Sequence, residues 1–362
     1  MKLLALALAL AAQPGNATQL RPAPARMWDV AWQRKLVPPT MLEYHPREVG
    51  GPAIDPTTGT VVVGTRDGFV RAYTEGGQPM WEAKAGGRFD AAPRIGGDLV
   101  FAGSSDGRLY ALDVASGALR WKYEAGEEVG TTPAVAGGLA LVMTLQDTLV
   151  AVDAKTGAWK WHHRRETQQG FTIRGAASVT VAGDVVLGAY SDGTVAALDL
   201  ATGTMRWERR VSAKADFMDV DSTPRVERGR VYLVAYAGTV QAVELASGNA
   251  IWETKTAAPL RLALGHGVLV AVTTTQIVGL SPQDGKVRWT LPLDGAPGGE
   301  PTVLGNRALV PNGKGLLWVD ADRGRLLRVF DPGTGVSAAA ATRGGRVYVL
   351  SNGGDLFALD AV

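Results

Sequence analysis

The 362-residue chain contains no cysteine. That excludes disulfides, thiolate metal sites and a cysteine nucleophile, and it leaves the redox compartment open. Histidine is scarce, with four residues in all. His162 and His163 are adjacent, and neighbours on a strand face opposite ways, so they do not form a joint metal site. With Arg164 and Arg165 they read as a solvated polar loop after Trp161. His45 and His266 alone offer no frame for an acid–base triad. Charge asymmetry is also missing: 37 basic against 35 acidic residues give a formal net charge of +2. No nucleic-acid or anionic-membrane footprint follows from that balance. A Walker loop is absent. The acidic trio Asp216, Asp219 and Asp221 lacks the spaced glycine and terminal glutamate of a calcium loop. No metal, cofactor or catalytic group is therefore expected.

Long hydrophobic runs are missing too. The longest, Leu3 to Ala12, is too short to span a bilayer as a helix. It follows Met1-Lys2 and precedes small residues at Gly15 and Ala17. This is the layout of a secretory signal, residues 1–17, cleaved after Ala17. Residues 18–27, with Pro22 and Pro24, read as an extended linker. No later stretch has the length and periodicity of a helix.

What the chain has in abundance is glycine (46), proline (19) and tryptophan (10). Six tryptophans close six copies of Gly-x-x-x-Trp: Gly77/Trp81, Gly117/Trp121, Gly157/Trp161, Gly203/Trp207, Gly248/Trp252 and Gly285/Trp289. Successive tryptophans fall 40, 40, 46, 45 and 37 residues apart. A period near forty residues marks a radial or stacked array. Within one period, Pro93-Arg94-Ile95, Leu99–Ala102, Leu109–Asp113 and Ala118–Trp121 read as four short strands. Gly96-Gly97, Ser105-Asp106-Gly107 and Ser116-Gly117 supply the turns between them. Four antiparallel strands per repeat make one propeller blade. The predicted fold is all-β: an eight-bladed β-propeller over residues 28–362. Blade seven, about 300–328, carries Arg328 where a tryptophan is due. Blade eight, about 336–360, stops before its fourth strand, and Trp32–Leu36 is the expected donor of that strand. The six repeat tryptophans are read as structural.

The phrase Ala111-Leu112-Asp113-Val114-Ala115-Ser116-Gly117-Ala118-Leu119-Arg120-Trp121 resembles the repeat of pyrroloquinoline-quinone-type propellers. That superfamily holds both quinoprotein dehydrogenases and cofactor-free scaffolds, so it does not choose a function. The dehydrogenase hallmark of adjacent disulfide-bonded cysteines is impossible here.

Two further stretches narrow the resemblance: Phe171-Thr172-Ile173-Arg174-Gly175 and Asp219-Val220-Asp221-Ser222-Thr223-Pro224. Their order and spacing resemble the BamB family of the outer-membrane β-barrel assembly machinery. The resemblance implies a non-enzymatic scaffold at the inner face of the outer membrane. It implies docking on a BamA-like barrel subunit through Phe171, Ile173, Arg174, Asp219 and Asp221. Nascent outer-membrane proteins, engaged by edge pairing, are a further partner class. Independently, Ser178 occupies in blade four the place that Pro224, Pro93 and Pro133 hold in their blades. Arg174 and the two aspartates thus precede equivalent markers on neighbouring blades and are expected on one rim. They could equally form an internal charge pair.

The family is usually lipid-anchored through a cysteine after the signal, and this chain has none. Three readings stay open: a periplasmic protein held to the membrane only by its partners, a start that lies elsewhere, or a relative with a different task. Two other functional classes stand beside the scaffold: a degenerate quinoprotein oxidoreductase, and a periplasmic propeller holding a small ligand in its channel.

Overall fold

A strand that is apolar at every position must be covered on both faces, whereas one that alternates covers only one. Both kinds occur in each repeat. The computed structural model describes residues 27–38, 47–165, 177–211, 222–235 and 238–362. In blade two the strands are Arg94–Gly96, Leu99–Ser104, Arg108–Asp113 and Leu119–Glu124. Leu99–Ser104 is buried throughout, while Leu119–Glu124 alternates and forms the outer edge. Among the described residues the chain builds eight such four-stranded sheets and no helix. The fold is an eight-bladed β-propeller.

Its core is distributed. Eight apolar clusters lie between adjacent blades, one per junction. Between blades two and three, for example, Phe101, Leu109 and Trp121 meet Ala140, Val142 and Val152. Each repeat tryptophan reaches into the next blade and donates its indole N–H to a carbonyl there. Trp81 donates to Val114 O at 2.9 Å, Trp121 to Ala154 O at 3.1 Å and Trp289 to Ala321 O at 2.8 Å. Beneath the ring lies the glycine of that next blade. Gly117 has φ +72°, and a Cβ there would stand 2.5 Å from Trp81. The glycine thus answers two demands, a left-handed turn and room for the neighbouring indole.

The turn itself is tied by its aspartate. Asp113 accepts from Ser116 N at 2.9 Å and Ser116 Oγ at 2.7 Å, and pairs with Arg120 at 2.5 Å. The Arg120 guanidinium and the Ser116 donors hold the Asp113 carboxyl down at about 2. Asp199 repeats the arrangement with Arg206 and Thr202.

The eighth blade is assembled from both ends of the chain, in the order Trp28–Lys35, Asp355–Ala361, Arg346–Leu350, Ala341–Arg343. The expected donor strand is present, but it begins at Trp28 rather than Trp32. Its partner is seven residues long, and pairing runs from Trp28 opposite Ala361 to Lys35 opposite Asp355, with one register shift between Val30 and Trp32. Trp32 then plays the repeat role, donating to Glu75 O at 2.9 Å over Gly77. Trp28 does something else. It packs back on blade seven, 5.1 Å from the Trp318 ring and edge-on to Phe330 at 5.9 Å, with the Arg328 guanidinium over its face. Where blade seven lacks its tryptophan, the closing strand supplies one from the opposite side.

One expectation is corrected. His162, His163 and Arg164 are not loop residues; they end the outer strand Trp159–Arg164, with His163 opposite Leu149. The strand continues because its edge alternates inward again at His163, which meets the Tyr190 hydroxyl of blade four at 2.9 Å.

A buried acid accompanies the start of blade one. Glu48 is 0% exposed and pairs with Arg66, whose backbone N–H also donates to it at 3.1 Å. Burial pushes its carboxyl up to about 7 against the pull of Arg66. Unfolded, the group titrates near 4.5, so between these values the native state binds more protons. Stability is therefore expected to fall as pH rises through that window, by roughly 2 kcal/mol from this group. Urea unfolding at pH 5 and pH 8 checks it: Glu48→Gln should remove most of the difference. An equal pH difference in both proteins would assign it elsewhere.

Candidate functional site

Phe171, Ile173, Arg174, Asp219 and Asp221 lie outside the described residues. What the structure does place is the chain on either side of them. The blade three–four connection leaves at Arg165 and returns at Ala177-Ser178; the blade four–five connection leaves at Val211 and returns at Ser222-Thr223. Arg165 is held by Asp192 and Glu208 of blade four, both at 2.8 Å, and its guanidinium lies over the Tyr190 ring. Val211 is held on both sides, its N–H by Gly193 O at 2.9 Å and its carbonyl by Gln241 at 3.1 Å. The two return points touch: Ser178 N donates to Thr223 Oγ1 at 3.2 Å. Both connections therefore spring from one face of adjoining blades.

The floor between them is polar and well bonded. Asp147, in a left-handed turn at φ +62°, accepts from Ser191 N at 3.1 Å and also from its hydroxyl. Burial raises the Asp147 carboxyl and lowers the His163 imidazole. Burial pushes the fully enclosed Tyr190 phenol up. These groups tie blades three and four together at this face.

The return points also ring the mouth of the central channel, a cavity of about 800 Å³. A chain of hydrogen bonds crosses it from blade to blade. Thr132 N donates to Ser178 Oγ at 3.1 Å, Ser178 N to Thr223 Oγ1, and Thr223 N to Glu300 Oε1 at 3.3 Å. Arg225 pairs with the same Glu300 carboxylate. Arg94 also lines the cavity, and its guanidinium is pushed down by enclosure and by the charge of Arg225. Arg94, Arg225 and Glu300 are not among the site residues expected from the sequence. A signal was available: both arginines directly follow the proline of their blades, where blades three and four have Ala134 and Thr180. The expected equivalence of Ser178 with Pro224 is corrected by one residue: Thr180 pairs with Leu187 as Arg225 pairs with Tyr232, so Val179 holds the proline's place and Ser178 that of Thr223. Among the described residues no group of three or more histidines and acids is arranged to hold a metal.

Ring, junctions and inner channel define a propeller of the pyrroloquinoline-quinone repeat type. The sequence matches the family described as outer membrane protein assembly factor BamB over residues 21–119, 66–290 and 238–362. The chain belongs to that family. No curated protein matches it in sequence. Among solved structures it is similar to BamB from Moraxella catarrhalis, with 20% identity and TM-score 0.76, covering 92% of this chain and 99% of that one. It is similar also to quinohemoprotein alcohol dehydrogenase from Comamonas testosteroni, with 15% identity and TM-score 0.75, covering 94% and 77%. A europium-containing methanol dehydrogenase aligns with 13% identity and TM-score 0.74, covering 92% and 93%. At such identities the likeness speaks to the fold alone.

Proposed function

We propose that the chain is a non-enzymatic scaffold subunit of an outer-membrane β-barrel assembly machinery. In this reading the signal at residues 1–17 exports it to the periplasm, and it works at the inner face of the outer membrane. It docks on a BamA-like barrel subunit through the blade three–four and four–five connections. Phe171 and Ile173 are the apolar anchors; Arg174, Asp219 and Asp221 are the polar ones. The observation that carries this reading is the family match, which runs from residue 21 to the C-terminus. The hydrogen bond between Ser178 and Thr223 supports it, because it brings the feet of the two motif-bearing connections together. No helix among the described residues is long and apolar enough to cross a membrane.

The test is charge reversal. Arg174→Glu, and separately Asp219→Lys with Asp221→Lys, should each weaken co-purification of the barrel subunit from native envelopes. Loss of a central charged anchor costs about 2 kcal/mol or more, roughly thirtyfold in Kd. The unfolding midpoint should stay near that of the wild type. Undiminished co-purification removes the assignment of these residues. For the scaffold reading, supplying the quinone with calcium should give no dye reduction by the purified chain.

A further inference from the structure

We propose that the mouth of the central channel binds a small molecule through an oxyanion, a carboxylate or phosphate group held between Arg94 and Arg225. Two positive side chains line this cavity with one carboxylate, Glu300, which is already engaged by Arg225. Arg94 has no carboxylate partner among the described residues. Its bond is from Nε to Pro133 O, at 3.1 Å, which engages neither terminal nitrogen.

That bond does not account for the charge. Other blades make the same reach to their neighbour with a neutral hydroxyl: Thr180 Oγ1 donates to Pro224 O and Thr302 Oγ1 to Ala340 O, both at 2.7 Å. A threonine suffices to stitch inner strands together. An arginine at this place adds a charge that is enclosed by protein and repelled by Arg225. Arg94 is nonetheless exposed to the water of the channel, so a solute can reach it. A planar guanidinium with two open donors matches a carboxylate or phosphate edge in a bidentate manner. The Thr132 hydroxyl on the same wall offers a further donor. A cavity of about 800 Å³ takes a small organic acid or a phosphate ester rather than a bare ion alone.

Titration calorimetry on the purified full chain tests this, with inorganic phosphate and with succinate as separate probes at constant ionic strength. A saturable response to either probe is expected, and the one that responds identifies the oxyanion. Arg94→Gln should weaken it at least about tenfold, while Arg94→Lys retains part of it. Glu300→Gln should strengthen binding, because it releases Arg225 from its competing carboxylate. A gain of affinity does not arise from misfolding, so this variant guards against a trivial loss. No saturable response to either probe, or an unchanged one in Arg94→Gln, overturns the proposal. No partner subunit enters the measurement, so its outcome is independent of the docking test.

Discussion

Deletion of residues 28–37 is expected to abolish the monomeric ring. The segment is the outer strand of blade eight, paired along its length with Asp355–Ala361. It buries Trp32, Leu36 and Val37 at the junction with blade one, and it lends Trp28 to the junction with blade seven. Without it, the backbone donors and acceptors of Asp355–Ala361 face water as an open edge beside uncovered apolar surface. A ring closed by one strand has no other way to hide that edge. Size-exclusion chromatography should show association or precipitation, and thermal unfolding should lose its single cooperative step. Adding a peptide of residues 27–38 should restore the monomer in part. A deletion variant that stays monomeric with an unshifted midpoint would show that closure contributes little.

The second large effect concerns the tryptophan–glycine contact between blades. Trp121 is buried against Gly157 and bonds to Ala154 O at 3.1 Å. Trp121→Ala removes the ring from a packed junction and should destabilise by about 3–5 kcal/mol. Gly157→Ala meets two obstacles: a backbone at φ +73° and a Cβ 2.7 Å from the indole. The left-handed backbone alone costs about 1–2 kcal/mol. In the Trp121→Ala background the steric part disappears and the backbone part remains. The double variant should therefore be less destabilised than the two changes added together, by about 1 kcal/mol in a urea-melt cycle. Strict additivity would mean that Gly157 serves its turn alone.

Much of this ring could be read in advance from the spacing of glycine and tryptophan. Leu99–Ala102 and Leu109–Asp113 are apolar runs short enough to be nothing but strands, and Asp113 to Gly117 is a turn by its chemistry. Even the eighth blade's missing strand was legible, since Trp32 stands outside the repeats with the same polar flanks. The boundaries were less so. Trp28 escaped notice because its partners, Trp318 and Phe330, come from a blade almost three hundred residues away. His163 looked like part of a charged loop because three of its neighbours are basic or histidine, and only Tyr190 explains why it turns inward.

Local sequence determined the repeat, the turns and the order of the blades, because strand alternation and positive-φ glycines act over a few residues. Tertiary structure alone decided that each glycine lies under the preceding blade's indole. It alone brought Arg94, Arg225 and Glu300 to one channel mouth from three separate blades. Those relations depend on closing the circle, and closure sets distances that no stretch of forty residues contains.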